Sequence, residues 1–328
     1  MEQNRRGLRS PASVVRLLVL GLLALGTAGI AAAPADAATE VKIGYLPVAG
    51  ASPLFATIEQ GYFKDAGIEP KLVTMATGGA VVPALIAGSL QFGVHGTTAI
   101  ISAHANGFPV DILSDSSLYG PDTPIAAILV RQDSPLKNAA DLEGKVISTA
   151  GVGGALDLGL YEWMAARGAD GKKVKIVEIP FPQMGGALMS KQVDAIMPIE
   201  PFLTILAPKT RVFAYHMREV APRWHISAYS VMREYAAQNA ELMKRVIRAY
   251  NRGVDWVNAH PSETRDMLTK FTRLQPALAS KIALPEFTKG VSKEVLQNLA
   301  DMMTKYGVID KKVEVARFIS PFATTSSD

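Results

Sequence analysis

Short runs of aliphatic and β-branched residues recur along the chain, and between them apolar positions return every three or four residues. The runs at 41–46, 68–75, 91–94, 110–114, 125–131, 145–149, 174–179, 193–197 and 226–232 predict strands. The intervening segments predict helices: from Pro53 to about Lys64, from 77–79 to Ala87, from 95–98 onward, and behind Gly154, where Leu156, Leu160 and Met164 share a face. A further helix is expected to start at Gly185-Gly186, after a 180–183 loop. The C-terminal third is helical throughout, with Leu242, Val246, Tyr250, Val254 and Val257 forming one stripe and further helices at 261–272 and 292–306. Strands that alternate with helices in this way predict an α/β fold with largely parallel sheets.

Two interruptions divide the alternation. Pro121-Asp122-Thr123-Pro124 and the turn Asp133-Ser134-Pro135 bracket a first crossing, and the 226–232 strand is expected to carry the chain back. The expected organisation is a first lobe at 38–125, a second at 126–230, and a return to the first lobe with C-terminal helices at 231–328. The triplet Gly-Gly-Ala occurs at 78–80, 153–155 and 185–187, and the stretches 89–94 and 191–196 that follow two of them also match in pattern. Two lobes of one architecture are implied. In open α/β sheets ligands sit beyond the carboxyl ends of the strands, so the glycine loops are expected to gather in one cleft.

The loop Ala150-Gly151-Val152-Gly153-Gly154 lacks bulky side chains at its glycines, and the helix behind it offers unpaired amides and a partial positive charge. Such a loop suits anionic or polar small molecules. A phosphate loop is excluded, because Gly154 is followed by Ala155 and Leu156 rather than Lys-Ser/Thr. A dinucleotide fingerprint fails at its sixth place, Leu156, although Glu178 imitates the ribose-binding acid. A tight turn with no ligand remains the bland alternative.

Composition narrows the setting. Arg5, Arg6, Arg9 and Arg16 precede an uncharged apolar stretch at 17–33 and an Ala35-Asp36-Ala37 cleavage site, so residues 1–37 are expected to be a signal peptide cut after Ala37. An uncleaved anchor is the alternative, and the Arg5-Arg6 pair leaves the Sec and twin-arginine routes both open. Without this segment the chain has 30 basic and 28 acidic residues, which gives no reason to expect a nucleic-acid partner. There is no cysteine, hence no disulfide and no thiolate metal site. The five histidines are scattered, His-Glu-x-x-His and Gly-x-Ser-x-Gly are missing, and no metal or cofactor is expected.

The stretch from Pro53 to Ile68 (Pro-Leu-Phe-Ala-Thr-Ile-Glu-Gln-Gly-Tyr-Phe-Lys-Asp-Ala-Gly-Ile) resembles the opening helix of the nitrate/sulfonate/taurine group of periplasmic substrate-binding proteins of ABC importers. Ala84-Leu-Ile-Ala-Gly with Phe92-Gly, Asp141-Leu-Glu-Gly-Lys, Val193-Asp-Ala and Glu200-Pro-Phe add to the likeness, in order, over about residues 41–260. The resemblance implies a two-lobe periplasmic binding protein fold with two crossing hinge strands, a monomer that closes on a small molecule and docks on a permease and ATPase complex at the inner membrane. It implies no catalysis. A two-lobe enzyme of the same fold and a receptor for a sensor domain are the alternatives.

The predicted cleft loops carry no lysine or arginine. A ligand would rest on Gly78, Gly151 and Gly153 and on hydroxyls of Ser52, Thr77, Thr97, Thr98, Ser116 and Thr149, with His95 and Gln183 as further contacts. Asp115 and Glu200 would accept from ligand N–H groups or act structurally. The expected ligand is a small organic anion or zwitterion, sulfonate- or taurine-like. A pyrimidine or other heteroaromatic is the alternative.

Overall fold

The computed structural model describes residues 38–324; the predicted signal peptide and its cleavage point lie outside them. Five strands, β1 (Thr39–Tyr45), β2 (Ile68–Thr74), β3 (Phe92–Gly96), β4 (Val110–Tyr119) and β10 (Trp224–Met232), build one sheet in the order β2-β1-β3-β10-β4. A second sheet holds β5 (Ile128–Arg131), β6 (Val146–Thr149), β7 (Lys175–Glu178), β8 (Ala195–Ile196) and β9 (Thr210–Ala214) in the order β7-β6-β8-β5-β9. The two are built alike. Three parallel strands, β2-β1-β3 or β7-β6-β8, are extended by an antiparallel one, β10 against β3 or β5 against β8. The 89–94 and 191–196 stretches therefore match because they lead into equivalent strands, β3 and β8.

The helices are α1 (Ser52–Glu59), α2 (Tyr62–Asp65), α3 (Val81–Ile86), α4 (Thr97–Ala105), α5 (Ala155–Ala165), α6 (Phe181–Met189), α7 (Phe202–Leu206), α8 (Arg233–Gln238), α9 (Ala240–Ala259), α10 (Pro261–Phe271) and α11 (Lys293–Lys305). The apolar stripe of α9 packs on α1 behind the first sheet, where Leu54, Phe55, Val246 and Tyr250 are fully buried and Phe55 stacks on Phe271 at 4.4 Å. A larger core joins α4, the second sheet, α5 and α11.

Several boundaries differ from expectation, each for a local reason. The helix opened by Pro53 breaks after Glu59, because Gly61 takes a left-handed φ of 71° and restarts the chain as α2. The 180–183 loop is absent. Helix α6 begins at Phe181, since Pro182 in its first turn lacks an N–H that would have been unpaired there anyway. The third Gly-Gly-Ala triplet therefore lies inside a helix rather than at its head. The polar run Asp115-Ser116-Ser117 does not end β4 but continues it to Tyr119, every residue buried, because each of these side chains finds a partner. The chain returns to the first sheet after β9, through 215–223, and the 226–232 run expected to carry it back forms β10 of that sheet.

Candidate functional site

The carboxyl ends of β1, β2, β3, β6 and β7 face one cavity of about 680 Å³. The first sheet contributes Gly50 and Ala51 beyond β1, Gly78 and Gly79 beyond β2, His95 and Gly96 at the end of β3, and Thr98 in the first turn of α4. The second contributes Thr149 at the end of β6, Gly151, Gly153 and Gly154 beyond it, and Glu178 at the end of β7. Two of the three glycine loops, at 78–80 and 153–155, thus share one space, as their pattern implied, while the third, at 185–187, lies inside α6 and does not line it. The two walls also touch: Gly78 N–H donates to the Ala150 carbonyl at 3.4 Å, and Glu178 Oε2 lies 4.0 Å from where a side chain at Gly79 would begin.

Most of the wall is apolar. Val82, Pro83 and Ile86 of α3, Ala99 and Ala103 of α4, Leu156 of α5, Phe181 of α6 and Ile199 line it, and Ile86, Phe108 and Val152 leave much of their surface exposed around it. Among the described residues, no lysine or arginine lines the cavity, and the ionisable ones that do are His95 and Glu178.

Of the residues singled out in the sequence, Gly78, His95, Thr98, Thr149, Gly151 and Gly153 line the cavity. The others do not. Ser52 donates to Ala49 O (2.7 Å) and Ser116 to Gly50 O (2.7 Å), and both are fully buried behind the wall they brace. Thr77 flanks Gly78 at the N-cap of a short 3₁₀ turn, and Gln183 is exposed in the first turn of α6. Glu200 caps α7, accepting from Thr204 N–H (3.1 Å) and Thr204 Oγ1 (2.8 Å), and burial raises its carboxyl to about 7 against those bonds.

Thr97, His225 and Asp115 form a buried chain. Thr97 Oγ1 lies 2.9 Å from His225 Nδ1, and His225 Nε2 lies 2.5 Å from Asp115 Oδ1, while Thr288 donates to Asp115 Oδ2 at 3.1 Å. These are the partners of a nucleophilic relay, but Thr97 is 1% exposed and does not line the cavity, so no substrate carbonyl reaches it. The chain instead ties the first turn of α4 to β4, β10 and the C-terminal segment.

The glycine amides were expected to face a guest, and here the structure departs from the sequence reading. Gly78 N–H goes to Ala150 O, and Gly153 N–H goes to Asp157 Oδ2 at 2.8 Å. Asp157, in the first turn of α5, is fully buried, and burial pushes its carboxyl up to about 7. A carboxyl raised in the fold binds protons more tightly there than in the unfolded chain. The stability it contributes is fully present below about pH 4 and is lost as pH rises through 7. Asp157→Asn, whose amide oxygen still accepts from Gly153, should therefore flatten the decline in denaturation free energy between pH 5 and 8 and gain about 2–4 kcal/mol at pH 8. Urea titrations across that range check it, and an unchanged slope would contradict it.

A family model described as NMT1/THI5 like matches residues 49–264, about two thirds of the chain. The chain belongs to the NMT1/THI5-like family. A relative of this family member in Bacillus subtilis (strain 168), provisionally named for binding aliphatic sulfonates, is 24% identical over 311 residues, covering 92% of each chain. A Brachyspira hyodysenteriae protein provisionally named as an ABC transporter periplasmic binding protein is 28% identical over 200 residues, 58% of this chain and 57% of its own. Among solved structures, the alkanesulfonate-binding protein SsuA from Xanthomonas axonopodis pv. citri bound to MOPS superposes with a TM-score of 0.71 at 19% identity, covering 86% of this chain and 98% of its own. The fold of this NMT1/THI5-like protein is therefore that of the periplasmic binding proteins, two α/β lobes joined by crossing segments.

Sequence reasoning missed the apolar half of the site. Val82 and Ile86 were legible only as helix residues, but α3 is apolar on more than the face it packs, and that surplus was the available signal. Phe108, in the polar turn Asn106-Gly107-Phe108-Pro109, was a second.

Proposed function

We propose that this protein is the solute-binding component of an ABC importer. Exported to the periplasm, it closes its lobes as a monomer over a small organic molecule and presents it to a permease and ATPase complex. The observation that carries this reading is the shared cavity, whose walls come from strand ends of both sheets and whose rim is bridged by the Gly78–Ala150 hydrogen bond. A ligand touching both walls only when they meet binds the shut form more tightly, and so shifts the population toward it. The names of the relatives support transport rather than turnover, and an organic sulfonate is the class they point to, with a pyrimidine-like heteroaromatic as the alternative. In either case the walls ask for a ligand with a sizeable apolar body, larger than nitrate or taurine.

The chain from residue 38 onward, purified under native conditions, is expected to carry or accept one small molecule per protein, seen by native mass spectrometry. Small-angle scattering before and after that molecule is stripped by unfolding and refolding should show the bound form to be more compact. A protein that neither carries a molecule nor contracts with any would contradict the reading.

A further inference from the structure

The loop that faces the cavity from the second lobe has little of its own to hold its shape. Gly151, Gly153 and Gly154 bring no side chains to pack, and Gly153 takes a left-handed φ of 75°. Its ties within its own lobe are local, Gly154 N–H to Gly151 O at 3.0 Å and Gly153 N–H to Asp157 Oδ2. A further brace comes from outside that lobe. A side-chain carbon at Gly153 would fall 2.8 Å from Val308 Cγ1 and 3.5 Å from Val308 Cγ2, so the valine methyls stand where that side chain would be. Gly153 lines the cavity and Val308 does not, so the valine backs the loop from beyond the site.

The place of Val308 is set by how α11 ends. Gly307 follows the last turn with a φ of 74°, its N–H reaches Thr304 O at 3.2 Å, and Val308 N–H reaches Met303 O at 2.8 Å. With this pair of bonds a glycine closes a helix and fixes the residue behind it. Leu296, Leu299, Ala300 and Met303 are buried along α11, which packs on α4 and β10 of the first lobe. Farther on, Ser320 N–H ties the chain to Ile112 O of β4 at 2.8 Å. The end of the helix meets α5 of the second lobe, where Lys305 Nζ pairs with Glu162 Oε1 at 2.6 Å and the Tyr306 ring lies 5.3 Å from that of Tyr161. An ion pair so open to water holds weakly, which leaves the packing of Tyr306 and Val308 as the main grip.

We propose that Val308 is a positioning residue for binding: carried by the first lobe, it seats the 151–154 loop of the second in the shape that faces the cavity. The proposal rests on the receptor reading and adds a determinant outside the cavity. Because the two partners belong to different lobes, parting the lobes withdraws the brace, and the loop relaxes as the site opens. Retention of a guest thus depends on a side chain that the guest never touches.

Val308→Ala and Val308→Thr, made in the chain from residue 38 onward, separate seating from stability. Alanine removes both methyls, whereas threonine keeps the branched shape and puts a hydroxyl in place of one of them. Both lower stability, and only alanine unseats the loop. Amide hydrogen exchange is read by mass spectrometry on stripped protein, well below the melting temperature of each variant. Over residues 150–157 it is expected to speed up about 10-fold or more in Val308→Ala and to stay within about 2-fold of the parent in Val308→Thr. In native mass spectrometry of unstripped protein, the carried molecule should leave Val308→Ala about 10-fold faster on dilution and leave Val308→Thr at the parental rate. A loop unchanged in Val308→Ala, a loop loosened equally by both variants, or a loosened loop with unchanged release would overturn the proposal and leave the receptor reading standing. A parent protein that neither carries nor accepts a molecule would overturn the receptor reading, and the proposal with it.

Discussion

Ala99→Trp is expected to lower affinity for the carried ligand by about 100-fold or more while leaving the melting temperature within about 2 °C of the parent. Ala99 lies in the first turns of α4, is only half-buried, and lines the cavity between His95 and Ser102. An indole there grows into open space rather than into a packed neighbour, so the fold is spared while the guest's volume is taken. A packed core position would behave the opposite way, losing stability first. Calorimetry with the carried ligand and a thermal melt separate the two outcomes. Retained affinity would mean that the ligand sits elsewhere.

The second large effect is expected at Gly253→Ala, far from the cavity. Gly253 lies in α9 where that helix crosses α1, and a side-chain carbon there would fall 2.1 Å from Thr57 Oγ1 and 2.5 Å from the Pro53 carbonyl. The hydroxyl of Thr57 already donates to that carbonyl at 2.7 Å, so the threonine cannot turn away without losing the bond. Backbone must move. The expected loss is about 3 kcal/mol in chemical denaturation. Because the 3₁₀ turn Ala49–Ala51 leads directly into α1 and its Gly50 and Ala51 line the cavity, ligand affinity should fall as well. Gly253→Ser should be at least as damaging. A neutral result for Gly253→Ala would show that the α1–α9 contact is looser than the structure states.

The two predictions mark what the sequence could and could not reveal. Alternation of strand and helix, the Gly-Gly-Ala repeats and the matching 89–94 and 191–196 stretches were enough to read two lobes of one architecture, because hydrophobic period and glycine punctuation are local properties. Where polar side chains end up paired is not local. Asp115, Ser116 and Ser117 read as a loop after a strand, yet they extend β4 into the interior because His225, Thr288, Gly50 and Ser227 arrive from distant positions to meet them. The amides of Gly78 and Gly153 likewise read as free, and only the fold brings Ala150 and the Asp157 carboxylate to them. Among the lining residues, Gly78, Gly151, Gly153, Thr98, Thr149 and His95 were legible from their place after strands, while Val82, Ile86, Phe108 and Phe181 were not, since a cavity wall and a core face share one apolar pattern.

The measurement that bears most directly on the shared cavity is a crystal structure of the chain from residue 38 onward with the molecule it carries. The expected result is ligand density enclosed between Gly78 of the first lobe and Gly151–Gly154 of the second. Density for the molecule on an outer surface, with only solvent between those loops, would contradict the account.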